Sequence, residues 1–81
     1  MNAIEYYKLK FGSDRNKAFI HLTKEVGELA GSIEKEKHDM AQYELVEILG
    51  LCYFLASTYE MHNVNEKLES VYTEKLQKLK G

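Results

Sequence analysis

Two pairs of acidic residues have a spacing that would place their carboxylates side by side. Glu25 precedes Glu28 by three positions, and Glu44 precedes Glu47 by three. Residues three apart lie on one face of an α-helix, so two antiparallel helices carrying one pair each would bring four carboxylates together. Carboxylate oxygens are ligands that Mg²⁺ prefers, with its remaining positions left to water and phosphate. The spacing therefore predicts a divalent metal site.

The second pair is the more informative because Glu47 is the only charged residue between Leu45 and Ala56. A helix that is apolar on every side is typically buried, and an ionised carboxylate inside it is costly unless a positive charge lies against it. We interpret that charge as a divalent cation. Such ions neutralise phosphate charge and lower the pKa of a bound water, which then attacks an anhydride phosphorus in line. The predicted chemistry is phosphoanhydride hydrolysis.

The acids are positioned by the second and third of four predicted helices, which span about residues 3–11, 14–36, 39–60 and 64–79 of a single domain, residues 1–81. The chain has no proline, the commonest helix breaker, and is rich in Leu, Glu and Lys, so we predict an all-α, four-helix bundle-like fold. Capping residues predict the starts of the four helices, in order Asn2, Ser13 or Asp14, Asp39 and Asn63. Gly12 predicts the end of the first helix.

A second copy of the chain is expected to complete this bundle. A domain of this length buries only about 60 to 65% of its unfolded surface, and the third helix is more apolar all round than four helices of one chain would enclose. We therefore predict a homodimer or a homotetramer.

In the second helix, the apolar residues expected to face the core are Phe19, Leu22, Val26, Leu29, Ala30 and Ile33.

The composition argues against several other classes of partner. The net charge is −2 and the lysines are scattered, which is unlike the basic surface of a nucleic-acid-binding protein. The longest uncharged apolar run, Ile48 to Ala56, is about half of what a bilayer requires. The N-terminal residues have no signal-peptide core, and the single cysteine, Cys52, is expected to be a buried thiol in a reducing compartment. We expect a cytoplasmic protein that binds neither nucleic acid nor membrane.

The acidic pairs and their flanking residues resemble the MazG-like nucleoside triphosphate pyrophosphohydrolases over roughly residues 11–79. That family carries Glu-Glu-x-x-Glu on one helix and Glu-x-x-Asp on the next. The most specific part of the resemblance is the run Val-Gly-Glu-Leu-Ala, followed by an acid pair 19 residues downstream of Glu25. The matching segments are Leu22 to Ala30 and Glu44 to Leu49.

This resemblance implies an enzyme in which Glu25, Glu28, Glu44 and Glu47 bind Mg²⁺ or Mn²⁺ and serve catalysis. It implies that the substrate is a nucleoside triphosphate, cleaved to the monophosphate and pyrophosphate, with house-cleaning of noncanonical nucleotides as one expected role. It also implies dimers or tetramers whose active sites are lined by more than one subunit. Phosphoribosyl-ATP pyrophosphohydrolase shares the acid motifs and is an alternative.

The chain departs from the family pattern at two positions. Lys24 stands where the family has its first Glu, and Glu47 stands where Asp is usual. Because metal sites depend on geometry held within about half an ångström, a second alternative is a non-catalytic MazG-like dimerisation or regulatory module with a degenerate metal site. The candidate substrate-binding residues are Lys75, on a last helix that resembles the family's lysine-bearing helix, Lys24, and Tyr43, whose ring could stack on a base.

Overall fold

The computed structural model describes residues 1–81, and every regular element in it is a helix. The helices are α1 (Asn2–Phe11), α2 (Arg15–Glu34), α3 (His38–Thr58) and α4 (Val64–Lys80). The predicted all-α class with four helices is confirmed, and each predicted end lies within two residues of the observed one. None of the four helices combines the length and hydropathy needed to cross a bilayer.

Helices α2 and α3 form an antiparallel hairpin that is the centre of the structure. Arg15, at the start of α2, donates hydrogen bonds to Thr58 at the end of α3, at 3.0 Å to Oγ1 and 2.6 Å to the carbonyl oxygen. The residues that face the partner helix recur at alternating intervals of four and three, the spacing of a coiled coil. We call them the seam: Ala18, Leu22, Glu25, Leu29 and Ser32 of α2, and Ala41, Glu44, Ile48, Leu51 and Leu55 of α3.

Helix α1 covers one side of this hairpin. The Tyr7 ring lies 6.1 Å from that of Phe54 and stacks at 5.8 Å on that of Phe11. Gly50 permits the close approach, because a Cβ at this position would lie 3.2 Å from the Cβ of Ala3. The buried apolar core that results is small and consists of Tyr7, Ala18, Leu51 and Phe54.

The opposite side of the hairpin is not covered. One residue advances an α-helix by about 100°, and antiparallel helices advance in opposite senses, so residues one position after the seam on both helices face the same side. We call this side the uncovered face: Phe19, Val26 and Ile33 of α2, and Leu45, Leu49 and Cys52 of α3, all exposed.

This exposure corrects two expectations drawn from the sequence. Four residues of α2 that were predicted to face the core are exposed, because the seam lies one position earlier on the helix: Phe19, Val26, Ala30 and Ile33. Cys52 was predicted to be buried and is exposed. The exposed side of α3 agrees with the expectation that one chain would not enclose this helix.

Helix α4 projects away from the other three and contributes no buried residue. Only its start is held, where the Tyr53 hydroxyl donates a hydrogen bond to Asn65 Oδ1. The packed unit is formed by α1, α2 and α3. A bundle of four helices is therefore not formed within one chain.

The helix ends confirm some predicted caps and correct others. Asp14 caps α2 by accepting a hydrogen bond from the Lys17 amide at 3.1 Å, and Gly12 ends α1 with φ 64°. The other three predicted capping residues, Asn2, Asp39 and Asn63, form no capping hydrogen bond. Helices α1 and α3 begin one residue earlier than predicted, so that Asn2 and Asp39 lie inside them. Asn63 occupies the N-cap position of α4, but its side chain accepts no hydrogen bond from the helix.

The C-terminal ends of α2 and α3 share a motif with a non-glycine residue in the left-handed region. Glu36 has φ 55° and Glu60 has φ 57°. In each case the following amide bonds back to a carbonyl five residues earlier, Lys37 to Ser32 at 2.9 Å and Met61 to Ala56 at 3.1 Å. This is the Schellman arrangement, in which glycine is the usual left-handed residue.

Glu60→Gly is expected to stabilise the protein. Left-handed backbone costs a non-glycine residue about 1–2 kcal/mol, and the added freedom of glycine in the unfolded chain offsets about 0.5–1 kcal/mol of that gain. Urea unfolding should show a net increase of up to about 1 kcal/mol. Gln42→Gly, on an exposed position inside α3, is the control and should lose about 1 kcal/mol. Equal losses in both variants would contradict this reading of Glu60.

Candidate functional site

The two acidic pairs lie on facing helices, as the sequence predicted, but at different depths. Glu25 and Glu44 occupy seam positions and are only 4% and 6% exposed. Glu47 is half-buried and Glu28 is exposed. Each pair therefore supplies one carboxylate from inside the hairpin and one from nearer its surface.

Glu25 is partly compensated by a histidine. Its Oε1 lies 3.5 Å from Nε2 of His21, one turn earlier on α2. The His21 ring packs beside those of Phe11 and Tyr7, at 5.7 and 6.3 Å between centroids. The second oxygen, Oε2, is buried and has no hydrogen-bond partner.

Glu44 has a similar deficiency on the opposite helix. Its Oε1 is also buried without a hydrogen-bond partner. Buried polar atoms in folded proteins are nearly always paired, and an unpaired buried charge is costly. Each of the two facing helices thus carries one buried carboxylate oxygen without a partner.

A cleft of about 380 Å³ opens beside these residues. Four carboxylates line it, three of them from the predicted set, together with one ring and one thioether: Glu28, Glu44, Glu47, Asp39, Tyr43 and Met40. No group of three or more His, Cys, Asp or Glu side chains lies close enough to hold a metal ion. The structure therefore brings Glu28, Glu44 and Glu47 to one cleft, leaves Glu25 outside its lining, and does not arrange the acids as a coordination sphere.

A second cleft, of about 460 Å³, adjoins the first at the turn between α2 and α3. The two clefts share Glu28, Met40 and Glu44. The remaining lining residues of the second cleft include two lysines and a buried serine: Gly31, Ser32, Lys35 and Lys37.

The three predicted substrate-binding residues lie in different places. Tyr43 lines the acidic cleft and is 67% exposed. Lys24 lines a separate cleft beside His21. Lys75 lies on α4, with Nζ 5.7 Å from the centroid of the Tyr72 ring, and lines neither cleft next to the acids. Within one chain, Tyr43 is the only one of the three that lines the acidic cleft.

Sequence reasoning missed several residues at the site. Asp39 was read only as a helix cap, although it precedes Tyr43 by four positions and so shares its helix face. Tyr7 is buried, and its pKa is raised by that burial first and then by the negative charge of Glu47, with smaller contributions from neighbours that include Glu25. Its signal in the sequence was its i, i+4 spacing to Phe11, which marks one face of α1.

Comparison of the chain with protein-family models, with curated proteins and with solved structures found no match. What bears on function is therefore the residue pattern and the geometry of the acids.

Tyr7→Phe is expected to remove an alkaline loss of stability. Because folding raises the Tyr7 pKa above its ordinary value of 10.0, the folded state holds the phenolic proton more tightly than the unfolded chain. The associated stability is fully present below about pH 10 and is lost as the pH rises through the folded-state pKa. Thermal melts from about pH 8 to 11 should fall more steeply for the wild type than for Tyr7→Phe.

The exposed Tyr72 provides the control for this measurement. Tyr72→Phe should keep the wild-type slope, because that ring is 58% exposed. A Tyr7→Phe protein whose melting temperature follows the wild-type pH dependence would show that Tyr7 is not the group responsible.

Proposed function

We propose that this protein is a Mg²⁺-dependent nucleoside triphosphate pyrophosphohydrolase of the MazG-like kind, which releases pyrophosphate and a nucleoside monophosphate. The observation that carries the proposal is the pair of buried, unpartnered oxygens, Glu25 Oε2 and Glu44 Oε1, on facing helices. A cation between the helices would remove the cost of both. The sequence resemblance assigns the same two residues to the metal site.

The residues present fit such a group in their chemistry. All four predicted ligands are carboxylates, the hard oxygen donors that suit Mg²⁺ and Mn²⁺. Glu25 and Glu44 would hold the ion from inside the hairpin, and Glu28 and Glu47 from the cleft side. When bound, the ion supplies neutralisation of phosphate charge and activation of water.

The chain's own residues would then divide the remaining tasks. His21, 3.5 Å from Glu25 Oε1, would help to orient that carboxylate, whose second oxygen has no partner. Glu47, at the cleft wall, would orient the attacking water as a hydrogen-bond acceptor. Tyr43 is exposed at the same cleft and would offer its ring for stacking on a base.

We also propose that the functional unit is a homo-oligomer. The radius of gyration is 14.8 Å, whereas a compact domain of this length has about 12 Å. The accessible surface is 6572 Å², compared with about 5,000 Å² expected for a monomer of this mass. The accessible surface is thus roughly 1,500 Å² larger than expected for a compact monomer. If each of two chains buried that much surface, the total would fall within the range of permanent protein interfaces. The uncovered face, where two hairpins would form a four-helix core, is the proposed contact.

The metal site is tested by melting the protein with and without Mg²⁺. Mg²⁺ should raise the melting temperature of the wild type, because it binds the folded state alone, and Glu47→Gln should remove both this shift and pyrophosphate release. In EDTA, Glu44→Gln should be at least as stable as the wild type, because it removes a buried unpaired charge. Each kcal/mol of added stability should raise the melting temperature by about 4–8 °C. Glu69→Gln, on exposed α4, is the matched control.

The substrate panel should include canonical and noncanonical triphosphates and phosphoribosyl-ATP. Pyrophosphate release at background from every substrate, together with no Mg²⁺-dependent melting shift, would overturn the enzymatic proposal. A folded oligomer with those properties would instead be the non-catalytic helical module.

The oligomer is tested by placing a charge on the uncovered face. Leu49→Lys should shift the wild-type oligomer to monomer in light scattering at micromolar concentration, because a lysine at an apolar interface leaves a buried unpaired charge. Leu9→Lys is the control, since Leu9 is 85% exposed on α1, away from this face. A wild-type protein that is monomeric at every concentration measured would contradict the proposal.

A further inference from the structure

The cleft at the turn between α2 and α3 combines features that the metal site alone does not use. Ser32 is only 5% exposed, and Glu44, with its unpartnered buried oxygen, belongs to the same wall. Lys35 and Lys37 line the cleft from the turn itself. Positive and negative side chains thus meet around one open space.

The turn geometry fixes the backbone that carries the two lysines. The Lys35 amide bonds to the Gly31 carbonyl at 3.0 Å, and the Lys37 amide bonds to the Ser32 carbonyl at 2.9 Å. Glu36, between them, has the left-handed φ of 55° that allows the chain to reverse. Both lysines are held at the end of the hairpin, about two helical turns beyond Glu28 and Glu44.

The turn lysines lie among the acidic residues Glu34, Glu36 and Asp39, but they form no ion pair with them. The ion pairs present are His21 with Glu25 and Lys78 with Glu74, so neither Lys35 nor Lys37 is paired. The cap position of α3 is Lys37, which provides no side-chain acceptor for the first amides of that helix. The positive end of the helix dipole adds to the charge of the lysines.

We infer that this cleft binds the pyrophosphate portion of the substrate, with Lys35 and Lys37 contacting phosphate oxygens. The inference rests on the proposed function, which it deepens by separating two parts of one site. A metal-bound diphosphate needs carboxylates on the metal side and cations on the side where phosphate charge remains. The shared wall of Glu28 and Glu44 separates the acidic cleft from the lysine cleft, and this is the arrangement that such a ligand requires.

The inference assigns the phosphate-binding role to the α2–α3 turn. Lys75 and Lys24, predicted from the sequence, do not line either cleft beside the acids. Lys35 and Lys37 line one cleft together with Glu28 and Glu44 within a single chain. Their contribution therefore does not depend on how the copies assemble.

The test is calorimetric titration with inorganic pyrophosphate, in the presence of Mg²⁺, on the full chain. The double variant Lys35→Gln/Lys37→Gln should bind pyrophosphate about tenfold more weakly or worse than the wild type. Lys67→Gln/Lys80→Gln, with the same change in charge on exposed α4, should bind within about twofold of the wild type. Circular dichroism melts should be unchanged in both, since all four side chains are exposed.

Inorganic phosphate distinguishes a pyrophosphate subsite from a general anion site. Pyrophosphate should bind more tightly than phosphate, and only the pyrophosphate affinity should depend strongly on the turn lysines. Equal weakening in the two double variants, or no pyrophosphate binding by the wild type, would overturn the inference. Lysine-dependent pyrophosphate binding by a protein without turnover would sustain the inference and reject the catalytic proposal separately.

Discussion

The contact between α2 and α3 governs the rest of the structure, because two of its seam positions are occupied by carboxylates. Coiled-coil packing places apolar residues at such positions, and here Glu25 and Glu44 replace them at 4% and 6% exposure. The hairpin therefore gives up apolar burial where its core would be strongest. Two buried, incompletely partnered carboxylates are costly to the fold, and one of them, Glu44, lines both clefts at this part of the seam.

The small core follows from the same arrangement. The buried apolar residues are confined to the seam positions Ala18 and Leu51 and to the side where α1 docks, at Tyr7 and Phe54. The apolar residues on the other side of the hairpin find no cover in one chain, and neither does α4. Large exposed apolar surfaces are common at protein interaction sites, and the proposed oligomer would cover these residues. Folding and assembly are therefore expected to be coupled.

The sequence predicted the elements well because local signals determine them. Absence of proline, helical periodicity, the Asp14 cap and Gly12 located four helices to within two residues. The i, i+3 spacing also predicted that the two acid pairs lie on neighbouring helices, and α2 and α3 pack against each other. The face that each helix buries was harder to predict from the sequence. Phe19 and Ala18 both fit a helical apolar stripe, and only the tertiary packing determines which of them is buried. Lys35 and Lys37 escaped notice for a related reason: their role depends on a backbone turn at Glu36, a residue without the glycine signature of such turns.

The chain's one arginine has a mechanical consequence. The Arg15 guanidinium bonds to Thr58 and stacks 3.9 Å from the Tyr59 ring centroid, at the end of the hairpin opposite the α2–α3 turn. The two long helices are thus joined at both extremities, by a covalent link at one and a bidentate clasp at the other. The clasp opposes separation of α2 and α3 at that end. A ligand between the two helices is therefore expected to be accommodated by side-chain rotation, which favours a compact ligand over a bulky one.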